Sequence, residues 1–257
     1  MTTFTISAAP GTDIWRKPPH TDVFDGMQIH HHIPPGPCPP CSPSPTLIIK
    51  TRRFHIFRTA QTHVNNIPTA PTATPPSDSS SPTTTTTTTK PLQSFLSVQA
   101  SFSFPWSEQY DQAGLLLTFR RKSSSSSSPS SSSPPKWIKT GIEYYNGQPQ
   151  LSTVACETWA DWSVTPLTTT TTTTTTTTPP WTTIAVDREA DGNGSSLWVY
   201  HVLEDGRRVP LREICWVYGD APEDWLVEVS AMAARPEKKA TANLEVSVRD
   251  MVVKWAE

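Results

Sequence analysis

The stretch KWIKTGIEYYNGQPQLSTVACETWADWSV, residues 136–164, decides the fold of this chain. Side chains alternate between two faces along its first ten residues, as they do in a β-strand. One face carries Trp137, Lys139, Gly141, Glu143 and Tyr145. Asn146-Gly147 then predicts a tight hairpin turn, because both residues tolerate a positive φ. A returning strand over 151–157 completes a β-hairpin with one apolar face and one polar, aromatic face.

The same two-residue alternation recurs along the rest of the chain. It predicts further strands over 4–8, 21–33, 47–59, 92–104, 110–120, 181–188, 196–203, 209–218, 224–233 and 242–255. Segment 12–19, TDIWRKPP, shows no such period and is interpreted as irregular. No stretch of about ten residues shows a clean helical period, and turn residues separate the strands. The sequence therefore predicts an all-β fold, and a sandwich of two antiparallel sheets of the jelly-roll type is favoured over a barrel.

Four segments rich in Ser, Thr or Pro interrupt this pattern, at about 34–45, 68–91, 121–135 and 165–180. Their composition is too polar and repetitive to offset the entropy of ordering, so we predict disordered insertions. Insertions at loop tips destabilise a fold little, because loop-closure entropy grows slowly with length. About 180 residues remain, which is enough for one sizeable core, so 1–257 is interpreted as a single domain.

Charge and hydropathy exclude several classes of protein. The net charge is -2 and the pI is about 6.4, and the basic residues form scattered pairs, so no nucleic-acid partner is expected. No run of about 18 apolar residues predicts a membrane span, and the first residues lack the basic and apolar regions of a secretory signal. We therefore expect a cytoplasmic protein, without a membrane partner, whose four cysteines are reduced.

Several short motifs are spread from the N-terminal region to the end of the chain. They are TDVF (21–24), YDQAGLLL (110–117), KWIKTGIEYYNG (136–147), LSTV (151–154), ADWSV (160–164), LWVY (197–200), PLRE (210–213) and VRDMVVKW (248–255). With these motifs the chain resembles the fungal "regulation of enolase protein 1" family and its bacterial relatives. The combination of DQAG, K-x-G-x-E and DWS is the specific part of the resemblance. It implies a concanavalin A-like lectin/glucanase fold with two packed antiparallel sheets.

The resemblance implies two functions as expectations. The wider fold superfamily suggests a non-catalytic protein that binds carbohydrate or a sugar-derived metabolite. The fungal family name suggests instead an interaction with a metabolic enzyme of glycolysis, which the chain would regulate. Fold alone does not decide between these two hypotheses.

The polar face of the central strands predicts the binding site. Gln112 shares this face with Lys139 and Glu143 if their strands pair. A sugar ring combines an apolar face, which stacks on aromatic rings, with hydroxyl groups that need polar partners. The predicted ligand-binding residues are Gln112, Trp137, Lys139, Glu143, Trp159, Asp161 and Trp162. The alternative interpretation is a solvated outer face or a structural polar network.

A glycoside hydrolase or lyase is the third hypothesis. Glycosidases need two carboxyl groups that flank one bond, and glucanases of this fold class place them on one strand as E-x-D-x-E or E-x-D-x-x-E. The strand over 137–145 offers Glu143 alone. The nearest spacing match, Asp187-x-Glu189-x-Asp191, runs into a predicted turn, where acidic side chains are most simply solvated. We therefore predict no catalytic residues.

The sequence predicts no cofactor and no metal. Cys38-Pro39-Pro40-Cys41 is a single C-x-x-C motif, whereas a structural zinc site needs four ligands. The preceding His30-His31-His32 leaves a mixed site open as an alternative, but the surrounding prolines favour a loop. Cys156 and Cys215 are interpreted as small core residues.

Overall fold

The computed structural model of the chain describes residues 3–30, 89–122, 134–167 and 179–257. These residues form strands, turns and three short 3-10 helices at Leu92–Ser94, Cys215–Tyr218 and Pro222–Asp224. The strands are β1 (Thr3–Ala8), β2 (Ile14–Lys17), β3 (Thr21–Phe24), β4 (Met27–His30), β5 (Thr89–Pro91), β6 (Phe95–Ser103), β7 (Gln112–Arg121), β8 (Lys136–Tyr145), β9 (Gln148–Cys156), β10 (Ala160–Pro166), β11 (Thr182–Asp191), β12 (Gly194–Val202), β13 (Arg208–Ile214), β14 (Trp225–Ala234) and β15 (Leu244–Trp255). Within the described ranges, no helix has the length and apolar character needed to cross a membrane.

The strands build two large antiparallel sheets and one separate ribbon. The six-stranded sheet has the order β1-β15-β6-β11-β12-β13. The seven-stranded sheet has the order β10-β9-β8-β7-β14-β4, with β5 also paired to β14. Strands β2 and β3 pair with each other as a two-stranded ribbon. The chain passes between the large sheets from β6 to β7, from β10 to β11 and at both ends of β14, so the predicted all-β antiparallel sandwich of the jelly-roll type is confirmed.

The hairpin predicted over residues 136–157 forms as expected. Strand β8 pairs with β9 from Trp137 opposite Cys156 to Tyr145 opposite Gln148. Asn146 and Gly147 make the turn with φ of 51° and 76°, the positive values that a two-residue hairpin needs.

The main core lies between the two large sheets. We call the side of the seven-stranded sheet that faces the other sheet its inner face, and the opposite side its outer face. Every second residue of β7 is buried on the inner face: Ala113, Leu115, Leu117 and Phe119. The six-stranded sheet opposes them with Val98, Ala100, Phe102, Ile184, Val186, Val246 and Val248. Burying each large apolar side chain stabilises the fold by about 1.5–3 kcal/mol.

The β2–β3 ribbon covers part of the outer face, which corrects the prediction that residues 12–19 are irregular. Ile14 and Phe24 of the ribbon form a second apolar cluster with Leu116, Trp137 and Met232 of the sheet. A four-residue strand is too short to show a period, and this strand depends on pairing with β3.

Arg16 fastens the ribbon to the loop before β8. Its guanidinium donates to the carbonyl oxygens of Pro134 and Pro135, both at 2.9 Å. It also pairs with Asp22 across the ribbon at 3.1 Å. The ribbon is therefore held by apolar packing on the sheet and by the hydrogen bonds of Arg16 to the loop before β8.

Some predicted boundaries were wrong. Thr89–Pro91 was assigned to an insertion but pairs with β14 as a strand, and Arg121 and Thr165–Pro166 extend strands into the next two predicted insertions. Cys156 is buried as predicted, but Cys215 is exposed on a 3-10 helix. The predicted strand over 47–59, the Cys38–Cys41 motif with His31 and His32, and most of the four predicted insertions lie outside the described residues.

Candidate functional site

A polar cluster forms on the outer face of the central strands. The register of β7 and β8 places Gln112 opposite Glu143, and the two-residue period places Lys139 on the same face. Lys139 Nζ donates a hydrogen bond of 2.7 Å to Gln112 Oε1. None of the three residues is more than 5% exposed. The structure thus brings together these three predicted site residues.

Lys139 is the buried cation of this cluster. Asp13 Oδ1 lies 3.7 Å from its Nζ, and the centroid of the Trp15 ring lies 5.5 Å from it. Burial lowers the pKa of Lys139 below its ordinary value, because desolvation penalises the ammonium more than Asp13 and Glu143 favour it. Gln112 Nε2 donates to the same Asp13 Oδ1 at 3.3 Å, so the amide bridges the carboxylate and the ammonium.

Glu143 is the second carboxylate of the cluster. Its Oε2 accepts hydrogen bonds from Ser152 Oγ at 2.6 Å and from Trp162 Nε1 at 3.0 Å. Among the described residues no donor reaches Oε1. One oxygen of a nearly buried carboxylate therefore keeps its acceptor capacity for a bound molecule.

Aromatic rings surround the polar cluster. Trp162 meets Trp15 and Tyr145 edge to face, with ring centroids 6.4 and 4.9 Å apart, and Tyr145 stacks on Tyr110 at 5.8 Å. Rings and polar groups together line an open cavity of about 280 Å³, which we call the outer-face pocket. It is lined by Asp13, Trp15, Tyr110, Gln112, Lys139, Glu143 and Trp162. Apolar walls around a few convergent polar groups are typical of ligand sites.

Sequence reasoning missed three residues of this pocket: Asp13, Trp15 and Tyr110. Trp15 lies on β2 and Asp13 directly precedes it, where the Asp13 N–H donates a hydrogen bond of 2.7 Å to Oδ1 of Asp25, the residue after β3. The tryptophan in segment 12–19, TDIWRKPP, was the one available signal. Nothing in its spacing pointed to strands almost 100 residues later in the chain.

A buried ion pair positions Tyr110 at the rim of the pocket. Asp111 accepts hydrogen bonds from Arg235 Nε and Nη2 at 2.8 and 2.7 Å, and both side chains are buried. Asp111 also accepts from two backbone N–H groups of the preceding loop. Tyr110 itself adopts a φ of 68°, which is uncommon for a residue other than glycine. The ion pair therefore holds the loop in the conformation that brings Tyr110 next to Tyr145.

Three of the predicted site residues lie away from the pocket. Trp137 is fully buried under the ribbon, so no ligand reaches its ring. Trp159 lies in the turn before β10, is 45% exposed and does not line the cavity. Asp161 lies on the opposite side of β10 from Trp162 and pairs with Arg212 of β13. The two-residue period of a strand thus separates the neighbours Asp161 and Trp162.

The pocket offers hydrogen-bond acceptors on Asp13 and Glu143 and hydrogen-bond donors on Lys139, Trp15 and Tyr110. Among the described residues no group donates to Glu143 Oε1. The pocket is lined by two carboxylates, of Asp13 and Glu143, and by one ammonium, of Lys139. No group of three or more His, Cys, Asp or Glu side chains in the described ranges could hold a metal ion. The arrangement suits a molecule that presents several hydroxyl donors and an apolar face.

Fold and site together define a two-sheet antiparallel β-sandwich with an aromatic-lined pocket on the outer face of one sheet. The chain belongs to the family described as "Protein of unknown function (DUF1349)", whose model matches residues 75–254. An uncharacterised protein of Emericella nidulans is 28% identical to it over 252 residues, which cover 97% of this chain and 85% of that relative. The family match begins after the β2–β3 ribbon, so Asp13 and Trp15 lie outside it.

Several solved structures are similar to the chain at low sequence identity. A functionally unknown protein from Saccharomyces cerevisiae has a TM-score of 0.47 and 18% identity, over 66% of this chain and 74% of that one. An alginate lyase from Klebsiella pneumoniae has a TM-score of 0.36 and 9% identity, over 62% and 59% of the two chains. A family 16 endo-glucanase from Bacteroides ovatus has a TM-score of 0.31 and 10% identity, over 62% and 70%.

Proposed function

We propose that the chain is a cytosolic, non-catalytic carbohydrate-binding protein and that the outer-face pocket holds a sugar ring. One observation carries the proposal: a single cavity of about 280 Å³ combines aromatic walls with a buried floor of carboxylate, amide and ammonium groups. A pyranose has the matching chemistry, because its C–H face stacks on aromatic rings and its hydroxyl groups donate and accept hydrogen bonds at the rim. Trp15, Tyr110 and Trp162 supply the walls in this proposal.

The charges of the pocket favour an uncharged sugar over other sugar-derived metabolites. Asp13 and Glu143 are both present beside the single ammonium of Lys139. A phosphate or uronate group would add a negative charge close to two carboxylates, and like charges about 4 Å apart repel by about 4 kcal/mol at an effective dielectric constant of 20. A neutral hydroxyl instead donates to Glu143 Oε1 without that repulsion.

The hydrogen bonds of the two carboxylates support binding over hydrolysis. Glu143 accepts from Ser152 and Trp162, and Asp13 accepts from Gln112 and lies next to Lys139. Such surroundings suit an acceptor, whereas glycoside hydrolysis needs one of its two carboxyl groups to act as a proton-donating acid. A glycosidase or lyase activity stays the third hypothesis, and turnover of an oligosaccharide that is lost in Glu143→Gln would support it.

Thermal shift against a panel of neutral mono- and oligosaccharides, uronates and sugar phosphates tests the proposal. A ligand at about 100 times its Kd stabilises the native state by about 2.7 kcal/mol, which gives a clear rise in Tm. We expect a shift with at least one neutral sugar, none with the phosphates, and a reduced shift in Glu143→Gln. Glu213→Gln is the matched control, because Glu213 accepts from Ser196 on the other sheet in the same way. A flat panel, or equal shifts in both variants, would overturn the proposal.

Regulation of a glycolytic enzyme through protein contact is the second candidate, and an exposed edge favours it. Strand β10 ends the seven-stranded sheet and, with the turn before it, exposes Trp159 and Val164, at 45% and 38%. An edge strand presents unpaired backbone N–H and C=O groups that can pair with another chain, and these two apolar side chains lie beside them. Biolayer interferometry with purified enolase tests this candidate. Binding that Trp159→Ala weakens would support it, and no binding by the parent protein would remove it.

A further inference from the structure

The β2–β3 ribbon closes one side of the outer-face pocket, and the segment before it closes another. We propose that the pocket therefore accepts one or two sugar rings, as a free mono- or disaccharide or as a chain end, and does not accept an internal segment of a polysaccharide. This inference rests on the proposed carbohydrate binding and adds the size and shape of the ligand.

The ribbon blocks the pocket along the direction of the central strands. Beyond Lys139, the next residue on the same face of β8 is Trp137, which is fully buried beneath Phe24 at a ring-centroid distance of 6.3 Å. Leu116 on the neighbouring strand is buried by the same cluster. A sugar chain cannot continue in this direction without displacing the ribbon, which Arg16 fastens to Pro134 and Pro135.

Residues just before the ribbon block the pocket across the strands, on the side of β14. The Gly11 N–H donates to the Arg235 carbonyl at 2.7 Å, and the Arg235 N–H donates to Thr12 Oγ1 at 3.1 Å. Asp13 Oδ1 then accepts a hydrogen bond from Nε2 of Gln112 on β7. This segment is thus tied down across the ends of β14 and β7, at the side of the pocket opposite Trp162.

The remaining two sides carry aromatic rings. Trp162 on β10 bounds the pocket toward the edge of the seven-stranded sheet. Tyr110, stacked on Tyr145, bounds it toward the turn at Asn146 and Gly147. The volume of about 280 Å³ lies just below the range of about 300–1,000 Å³ of pockets that bury drug-sized ligands. Walls on four sides around this volume describe a blind pocket, whereas an open cleft has consecutive subsites for a long chain.

Affinity as a function of ligand length separates these two geometries. In an open cleft each additional ring that reaches a subsite adds contacts, so affinity rises with chain length. In a blind pocket, affinity per mole of ligand reaches a plateau once the pocket is full. A cyclic oligosaccharide has no end and would not enter a blind pocket at all.

Titration calorimetry of the full chain against ladders of one to six residues tests the inference, using β-1,4-glucan, α-1,4-glucan, chitin and mannan oligosaccharides. α-Cyclodextrin is the control ligand, because this cyclic oligosaccharide has no chain end. We expect binding in at least one ladder, a plateau by the disaccharide, and no binding of α-cyclodextrin. A rise of about tenfold or more from disaccharide to hexasaccharide, equal to about 1.4 kcal/mol, would overturn the inference and leave carbohydrate binding intact. No binding in any ladder would overturn the proposed function itself and the inference with it.

Discussion

The two faces of the seven-stranded sheet are built from alternate residues of the same strands, yet they differ in what determines them. The inner face, with Leu115 and Leu117, is apolar and packs against the six-stranded sheet. The outer face has an apolar part under the ribbon, with Leu116 and Trp137, and a polar part, with Lys139 and Glu143, that Asp13 and Trp15 complete from a distant part of the chain. The inner face therefore holds the fold, and the polar part of the outer face is where we propose that a ligand binds.

Two adjacent leucines offer the strongest test of this division, because both are fully buried on opposite faces of β7. We expect Leu115→Ala to lower the free energy of unfolding by about 2–5 kcal/mol, since it leaves a cavity between two large sheets. Leu116→Ala should cost less, because the β2–β3 ribbon is a small element that can settle onto the smaller side chain. Urea denaturation of both variants measures the difference.

Sugar binding by the same two leucine variants is a second test of this division. Leu116→Ala should weaken binding, because the ribbon that it supports carries Trp15 and directly follows Asp13, whereas folded Leu115→Ala should bind like the parent. Equal losses of stability together with equal binding in the two variants would mean that the faces do not divide their roles in this way.

A closely packed glycine pair lies between the polar residues of the central strands. A Cβ at Gly141 would lie 2.0 Å from the Ala113 carbonyl oxygen and 2.5 Å from Gly114 Cα. We expect Gly141→Ala to cost about 1–3 kcal/mol in free energy of unfolding, because backbone of β7 has to shift. Gly192→Ala is the control, since its Cβ would meet no atom within 4 Å, and it should change stability by less than about 0.5 kcal/mol. A neutral Gly141→Ala would show that the two strands separate easily.

Much of the inner face could be predicted from the sequence, since it depends on local order. Alternation along β7 and β8 and the Asn146-Gly147 turn specify which residues point inward, without any distant contact. Alternation failed at the start of β6, where Phe95 is buried and Leu96 is 41% exposed. A register shift beside Trp255, opposite Phe95, reverses the faces there.

Only part of the outer-face pocket could be predicted, because its walls depend on tertiary contacts. Gln112, Lys139 and Glu143 follow from one strand pairing, and the structure brings them together. Trp15 and Asp13 depend on how the ribbon docks. Trp137 was placed on the correct face, but sequence alone did not show that the ribbon covers it.

Lys139 gives a pH-dependent test of how deeply the outer face is buried. Its folded-state pKa lies below the ordinary value of 10.5, so between these two values the unfolded chain binds more protons than the native protein. The parent should therefore gain stability relative to Lys139→Met as pH rises through this window, with a slope of at most about 1.4 kcal/mol per pH unit. Denaturation of both proteins between pH 7 and pH 10 measures it. A parent that loses stability relative to the variant would mean that Asp13 and Glu143 outweigh desolvation.

The central claim is that the outer-face pocket binds a sugar against Trp162, and two tryptophans three residues apart test it most directly. Trp162 lines the pocket, whereas Trp159 is exposed outside it. Titration calorimetry with the neutral sugar that gives the largest thermal shift should show binding weakened about tenfold or more in Trp162→Ala, which corresponds to about 1.4 kcal/mol. Trp159→Ala should bind like the parent, and both variants should keep a cooperative unfolding transition. Equal affinity in the parent and Trp162→Ala, or a loss confined to Trp159→Ala, would contradict the account.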